Sequence, residues 1–179
     1  MRLFVLLIAM LLADSISAQT FIIDNHKSHI GFEIKNFGAT VGGAFTQFSG
    51  VIQFDVHKPV EIKFDVTVIS TSITTGITMR DNHLRKKDYF NVAEFPTIQF
   101  TSTQVTLTKA GEGVVSGMLT MKGISKLISV PFRYDCKTSA PQFTGTYRLN
   151  RREFKIGGSS ISMSDEVEIS LQIETQAKN

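Results

Sequence analysis

The chain has 179 residues, of which 42% are hydrophobic and 20% charged, with a formal net charge of +3. That length suits one domain with a real core. The mild, scattered basic excess excludes a dense nucleic-acid-binding face, and the lone cysteine, Cys136, excludes an intramolecular disulfide.

Residues 1–18 read as a secretory signal peptide. Arg2 supplies a positive start, Leu3 to Ala13 is an apolar run of 11 residues, and Ser15-Ile16-Ser17-Ala18 offers small residues for cleavage. The run is too short to span a bilayer, which takes about 20 residues. An uncleaved anchor is the alternative, and no Cys follows the run to carry a lipid. Cleavage would leave residues 19–179 as one exported domain, periplasmic or secreted. Cys136 in such a chain reads as a small buried side chain, since no His is placed to activate it.

Beyond residue 20 the dominant period is two. Ile30, Phe32 and Ile34 share a face, opposed by Glu33 and Lys35. Ile52, Phe54 and Val56 oppose Gln53 and Asp55, and Ile62, Phe64, Val66 and Val68 oppose Lys63, Asp65 and Thr67. The same alternation places together Ile98 and Phe100, then Val115, Gly117, Leu119 and Met121, then Ile128, Val130, Phe132 and Tyr134. Phe143, Gly145, Tyr147 and Leu149 follow, and Val167, Ile169, Leu171 and Ile173 close the series. This is the pattern of antiparallel strands with one wet and one dry face. Lys109 to Gly113 and Lys122 to Ser125 supply tight turns, and glycines within strands suggest bulges or corners.

Two stretches break the pattern. Residues 36–49 are glycine-rich and irregular, and suit a turn with a short strand or helical turn. Thr75 to Asp88 is charged and aperiodic, and predicts a short helix near 79–87. The outcome is an all-β domain of about eight antiparallel strands with one helical insertion placed to cover a mouth. Eight strands with a single dry face must pack on a second sheet or close into a barrel. The single clean face favours a lipocalin-like barrel, and 14 Phe with no Trp would line it without polar atoms. From alternation alone, a filled core and a hollow tunnel remain equally open.

Catalytic signatures are absent. His26 and His29 fall on opposite faces of a strand and cannot share a metal as a helical pair can. No metalloprotease, nucleophile-elbow or dithiol motif occurs, and the glycines near 111–117 sit in a hairpin. No enzyme, metal or cofactor is expected. Arg80-Asp81-Asn82-His83 could be read as a hydrolase centre on His83. The simpler reading is a charged cluster that pins a lid, with Leu84 pointing into the mouth.

Arg80, Asp81, His83 and Leu84, then Asp88 and Phe90, then Pro96, Ile98, Phe100 and Ser102 stand in an order that resembles the YceI-like family. Val114 to Phe132, Asn150 to Gly157 and Ser164 to Ile169 are similar to further stretches of its pattern. So are Ser28, Ile30 and Phe32 with Gly43, Phe45, Phe48 and Gly50, so the likeness spans residues 19–179. Lys27 and Asn36 stand where many members carry His, and Lys155 where Gly is common.

The resemblance implies a lipocalin-like barrel, exported, with a tunnel for a polyisoprenoid, an isoprenoid quinone or a fatty-acid derivative, for transport, storage or sequestration. It carries no implied catalysis. On this reading Phe32, Ile34, Ile52, Phe54, Phe64, Val66, Phe100, Leu119, Val130, Phe132, Ile169 and Leu171 are expected to line the tunnel. Arg80, Asp81, His83 and Leu84 would organise the lid, and Arg151, Arg152 or Lys155 would meet an anionic head. The rival reading is a stress-linked periplasmic interaction protein with a filled core, acting through a surface such as Arg85-Lys86-Lys87. Oligomeric state, a homodimer included, is left open.

Overall fold

A computed structural model describes residues 18–109 and 111–178; the leader expected at the N-terminus falls, save for Ala18, outside them. The strands are β1 (Gln19–Ile23), β2 (His29–Asn36), β3 (Ala39–Phe45), β4 (Phe48–Phe54), β5 (Lys63–Ile69), β6 (Ile73–Thr74), β7 (Thr97–Lys109), β8 (Glu112–Met121), β9 (Ile124–Asp135), β10 (Gln142–Asn150) and β11 (Met163–Ala177). One α-helix, α1 (Thr78–Leu84), lies between β6 and β7.

All pairings are antiparallel, and the sheet closes because β1 meets both β4 and β11. Both β1 and β2 pair with the same edge of β11, β3 and β4 follow each other along the next stave, and β5 and β6 form a third. The eleven strands are therefore eight staves of an up-and-down barrel, three of them interrupted. Closure gives every stave a neighbour on each side, although β9 and β10 pair only over residues 132–135 and 142–145 and β6 pairs only with β3.

The interruptions line up as a seam across neighbouring staves, at residues 24–28, 46–47 and 70–72. Side chains replace the lost ladder bonds there. The Asn25 amide donates to the Thr46 carbonyl (3.1 Å) while its oxygen accepts from the Phe48 N–H (2.8 Å). Ser28 Oγ accepts from the Glu174 N–H (2.9 Å) and donates to its carbonyl (3.2 Å). Ser72 Oγ accepts from the Gln47 N–H (3.1 Å) and donates to the Ile69 carbonyl (2.7 Å).

The expected alternation holds along the staves, with two additions and one trimming. Strand β1 follows a cue the longer runs overshadow, since Phe21 and Ile23 alternate and are buried. The stretch 36–49 is mostly strand. A tight turn at Phe37 and Gly38, both at positive φ (50° and 78°), leads into β3. Gly42, Gly43 and Ala44 show no alternation because the ring of Phe32 lies over Gly43, where a Cβ would sit 2.3 Å from its Cζ. The same packing recurs at Gly113 under Phe132 and at Gly117 under Phe100, and β7 shifts register opposite both, between Leu107 and Lys109 and between Ser102 and Gln104, so these glycines seat aromatic rings beside the expected bulges. Val56 lies beyond the end of β4 and is exposed. Cys136 is exposed in the β9–β10 connection, not buried as expected.

One barrel end carries the β4–β5, β7–β8 and β9–β10 connections and is plugged by aromatics. Phe54 meets Tyr134 and Phe143 edge-on, with centroids 5.1 and 5.0 Å apart, and Phe64 meets Phe132 and Phe143 at 5.6 and 5.2 Å. The other end, the lid end, carries the β2–β3 turn, α1 with residues 85–96, the β8–β9 turn and residues 151–162. Removing the plug in Phe54→Ala should cost about 3–5 kcal/mol, read as a lower urea midpoint at unchanged slope.

Candidate functional site

The staves alternate as they do because their inward residues are apolar, but the middle of the barrel is lined by side chains too short to meet. Val66, Val68, Val115, Val130, Ile52, Ile128 and Leu119 surround a chamber of about 190 Å³, floored by the aromatics. A second chamber of about 140 Å³ lies beneath the lid, lined by Phe32, Ile34, Val41, Ile73, Leu84, Tyr89, Phe90, Ile156, Met163 and Val167. Phe45, Ile98, Met121, Leu149 and Ile169 border both and form a waist between them. Along β11 the lining runs from Ile173 to Met163. Ten residue steps on a tilted strand give an elongated hollow of roughly 25 Å.

Both chambers present an almost purely apolar surface. Tyr147 brings a hydroxyl to the wall of the inner one, where burial pushes its pKa up, while Thr144 is exposed on the outer face of β10. The lid chamber adds Asn36, Thr75, Arg80 and Arg151.

The lid is fastened by its charged residues. Asp81, buried near the start of α1, accepts from the Thr75 N–H (2.8 Å) and hydroxyl and from the Thr74 hydroxyl (3.3 Å). The Thr75 hydroxyl leads in holding this carboxyl below its ordinary value, aided by the Thr75 N–H and by Arg85. Arg80 Nε donates to the Thr75 hydroxyl (2.7 Å) and Nη2 to the Thr75 carbonyl (3.0 Å). Arg85 ties the far end of α1 to the carbonyls of Thr71 (2.9 Å) and Ile73 (3.0 Å). Across the mouth, the Gly157 N–H donates to the Asp88 carbonyl (2.8 Å).

Eleven of the twelve residues expected to line a tunnel do border the hollow: Phe32, Ile34, Ile52, Phe64, Val66, Phe100, Leu119, Val130, Phe132, Ile169 and Leu171. Phe54 does not, because it sits among the plug aromatics. Arg80, Asp81 and Leu84 hold the lid positions expected of them, and α1 spans Thr78–Leu84, shorter than 79–87. His83 is exposed and stacks edge-on against Tyr89 (4.9 Å), with no carboxylate or nucleophile bonded to it among the described residues.

The expected head contacts need correction. Arg151 is buried and its guanidinium is spent on the protein: Nε donates to the Ser164 carbonyl (2.8 Å), Nη1 to those of Ile156 and Gly158 (both 2.9 Å), and Nη2 to Asp165 (2.8 Å). Arg152 and Lys155 point away from both chambers. Lys155 holds a left-handed conformation (φ 54°), which is why glycine suits that position. Arg80 is among the residues around the lid chamber, and its Nη1 carries no hydrogen bond among the described residues. Sequence reasoning grouped Arg80 with the lid and missed its place beside the chamber. It also missed the waist, because Phe45, Ile98, Met121 and Leu149 come from four distant strands.

Related proteins share the fold. The YceI-like domain family matches residues 21–175. The chain belongs to the YceI-like family. A UPF0312 protein of Shewanella baltica is 32% identical over 167 residues, spanning 88% of this chain and 87% of its own. The crystal structure of Burkholderia cenocepacia BcnA superimposes with a TM-score of 0.81 at 25% identity, over 84% of this chain and 98% of that one. A polyisoprenoid binding domain from Saccharophagus degradans shares the fold, with a TM-score of 0.72 at 16% identity over 90% and 99% of the two chains. Among the described residues of this YceI-like chain, no helix is long and apolar enough to cross a membrane.

Two outcomes test the site's construction. Arg151→Met leaves the carbonyls of Ile156, Gly158 and Ser164 without donors, and should cost about 3 kcal/mol or more in denaturant melts. Asp81 has a depressed folded pKa, so its contribution is complete above its unfolded value of about 3.9 and is lost as pH falls through the folded one. Amide exchange across residues 75–90 should then be insensitive to that group at neutral pH and rise below about pH 4. Asp81→Asn should remove this acid dependence.

Proposed function

We propose that this YceI-like protein is an exported, non-catalytic carrier or store for a long single-chain lipid, a polyisoprenoid or isoprenoid quinone in first place. The observation that carries the reading is the two-chambered apolar hollow. Unfilled apolar volume costs about 24 cal/mol per Å³. The chambers total about 330 Å³, which implies on the order of 8 kcal/mol, comparable with the whole stability of a typical domain. Larger side chains at Val66, Val115 and Val130 would fill it. An occupant recovers that energy at roughly 0.8 kcal/mol per buried CH₂.

Length narrows the class. One acyl chain spans about half of a ~30 Å bilayer core, well short of a hollow of roughly 25 Å. A longer single chain uses both chambers. The polyisoprenoid-binding name of the Saccharophagus degradans neighbour supports the same class. Arg80, through its unused Nη1, meets the head at the lid, where a carbonyl, phosphate or hydroxyl oxygen would lie. The rival with a filled core does not fit the two chambers. The apolar first stretch of the sequence supports export.

Native mass spectrometry of gently purified protein should show lipid adducts, and added polyprenol or isoprenoid quinone should raise the melting temperature. Met121→Trp at the waist should weaken long chains about tenfold or more while sparing chains short enough for the lid chamber. Arg80→Met should weaken anionic heads more than neutral alcohols of equal length. Unliganded mass throughout, with no uptake of either lipid, would sink the reading.

A further inference from the structure

The lid end has a feature that neither folding nor cavity lining explains. Phe37 occupies the tip of the β2–β3 turn at φ 50° with 85% of its surface exposed. A bulky residue at positive φ is strained, and Asn or Gly is the ordinary occupant of such a turn. A strained, solvent-facing aromatic is a reason to look for function. Three more large apolar side chains stand out at the same end. Met79 is 84% exposed, Ile77 about half exposed and Ile161 fully so.

Their carriers surround one opening. The Phe37 N–H donates to the Ser162 carbonyl (2.8 Å), which brings the turn beside Ile161. Ile77 and Met79 flank Thr75 and Arg80, which border the lid chamber. Toward this rim the chamber wall thins: Asn36, Val41 and Met163 line it yet are only half-buried, whereas Ile52, Phe64 and Val115 deeper in are buried.

We propose that this rim docks on an anionic lipid bilayer, with Phe37, Met79, Ile77 and Ile161 inserted at the interface and the lid chamber opening onto the hydrocarbon. The inference rests on the reading of the hollow as a lipid site. Its physical ground is the transfer step. A long chain crossing open water would expose every CH₂ to solvent, so a mouth sealed against the membrane lowers the barrier. Apolar side chains at the rim and basic groups beside them are the usual means of such interfacial binding.

Charge agrees with this occupant. At the opposite end Lys58, Lys109, Arg133 and Lys137 each sit on a carboxylate, and Lys63 and Lys178 have no ion pair among the described residues. At the lid end four lysines, Lys35, Lys86, Lys87 and Lys155, have none among those residues. Of the acids there, Asp165 is engaged by Arg151 and Glu153 by Lys126, Asp88 and Glu94 face Lys122, and Glu166 has no ion pair among the described residues.

The absence of Trp gives a clean probe. In Phe37→Trp, vesicles of phosphatidylglycerol and phosphatidylcholine should shift the emission to the blue, and brominated chains should quench it; vesicles of phosphatidylcholine alone should do so less. Phe37→Asn relieves the turn and should raise the melting temperature by about 2–4 °C. Joined to Met79→Ser, it should cut vesicle binding and the rate of polyprenol transfer from vesicles about tenfold or more. Uptake of detergent-dispersed polyprenol should be unchanged, which separates docking from cavity binding. Unaltered vesicle binding and transfer in the double variant would overturn the proposal, as would a Phe37→Asn protein that loses stability. Failure of detergent-dispersed uptake in the parent protein would instead remove the lipid reading itself.

Discussion

Closure is the constraint on which the rest depends. A sheet of eight staves with one apolar face has nowhere to hide that face unless its first and last staves meet. Here β11 does this by holding β10 along one edge and β2 then β1 along the other. The circumference is then fixed by stave number and tilt rather than by side-chain volume. Inward residues cannot draw the wall closer. Where they are aromatic the interior fills, and where they are valine or isoleucine it stays open.

That division places the site. Phe54, Phe64, Phe132 and Phe143 form a plug at one end, the short aliphatics occupy the middle, and Phe32, Phe45 and Phe90 pack below the hydrogen-bonded lid at the other. The result is an apolar hollow closed by aromatics at one end and covered by a polar lid at the other. The seam of strand interruptions lies on one side of this axis, at the level where the inner chamber gives way to the lid chamber. Asn25, Ser28 and Ser72 keep its backbone groups satisfied, so the wall can break without exposing an edge.

The charged motif of the lid divides its labour. Asp81 and Arg85 fasten α1 to the stave of β5 and β6, and Arg151 knits residues 151–165 into the opposite side of the mouth. Arg80 alone of these arginines lies beside the lid chamber with an Nη1 that no hydrogen bond uses among the described residues. A dense cluster of Arg, Asp and His is thus mostly scaffolding, and counting used and unused N–H groups, not residue type, separates its members.

Strand alternation by itself determined the class of the protein, the number of staves and nearly every inward residue, because a period of two is a local property that closure does not alter. It left β3 open between a short strand and a helical turn, because Gly42, Gly43 and Ala44 erase the period, and it assigned Phe54 to the hollow because inward says nothing about height along the axis. Tertiary structure decided the rest: that the interior is empty, that Arg151 is consumed by backbone carbonyls, that Cys136 is exposed and that the waist comes from five separate strands. Each of these depends on distances between residues far apart in the chain, which only the closed barrel sets.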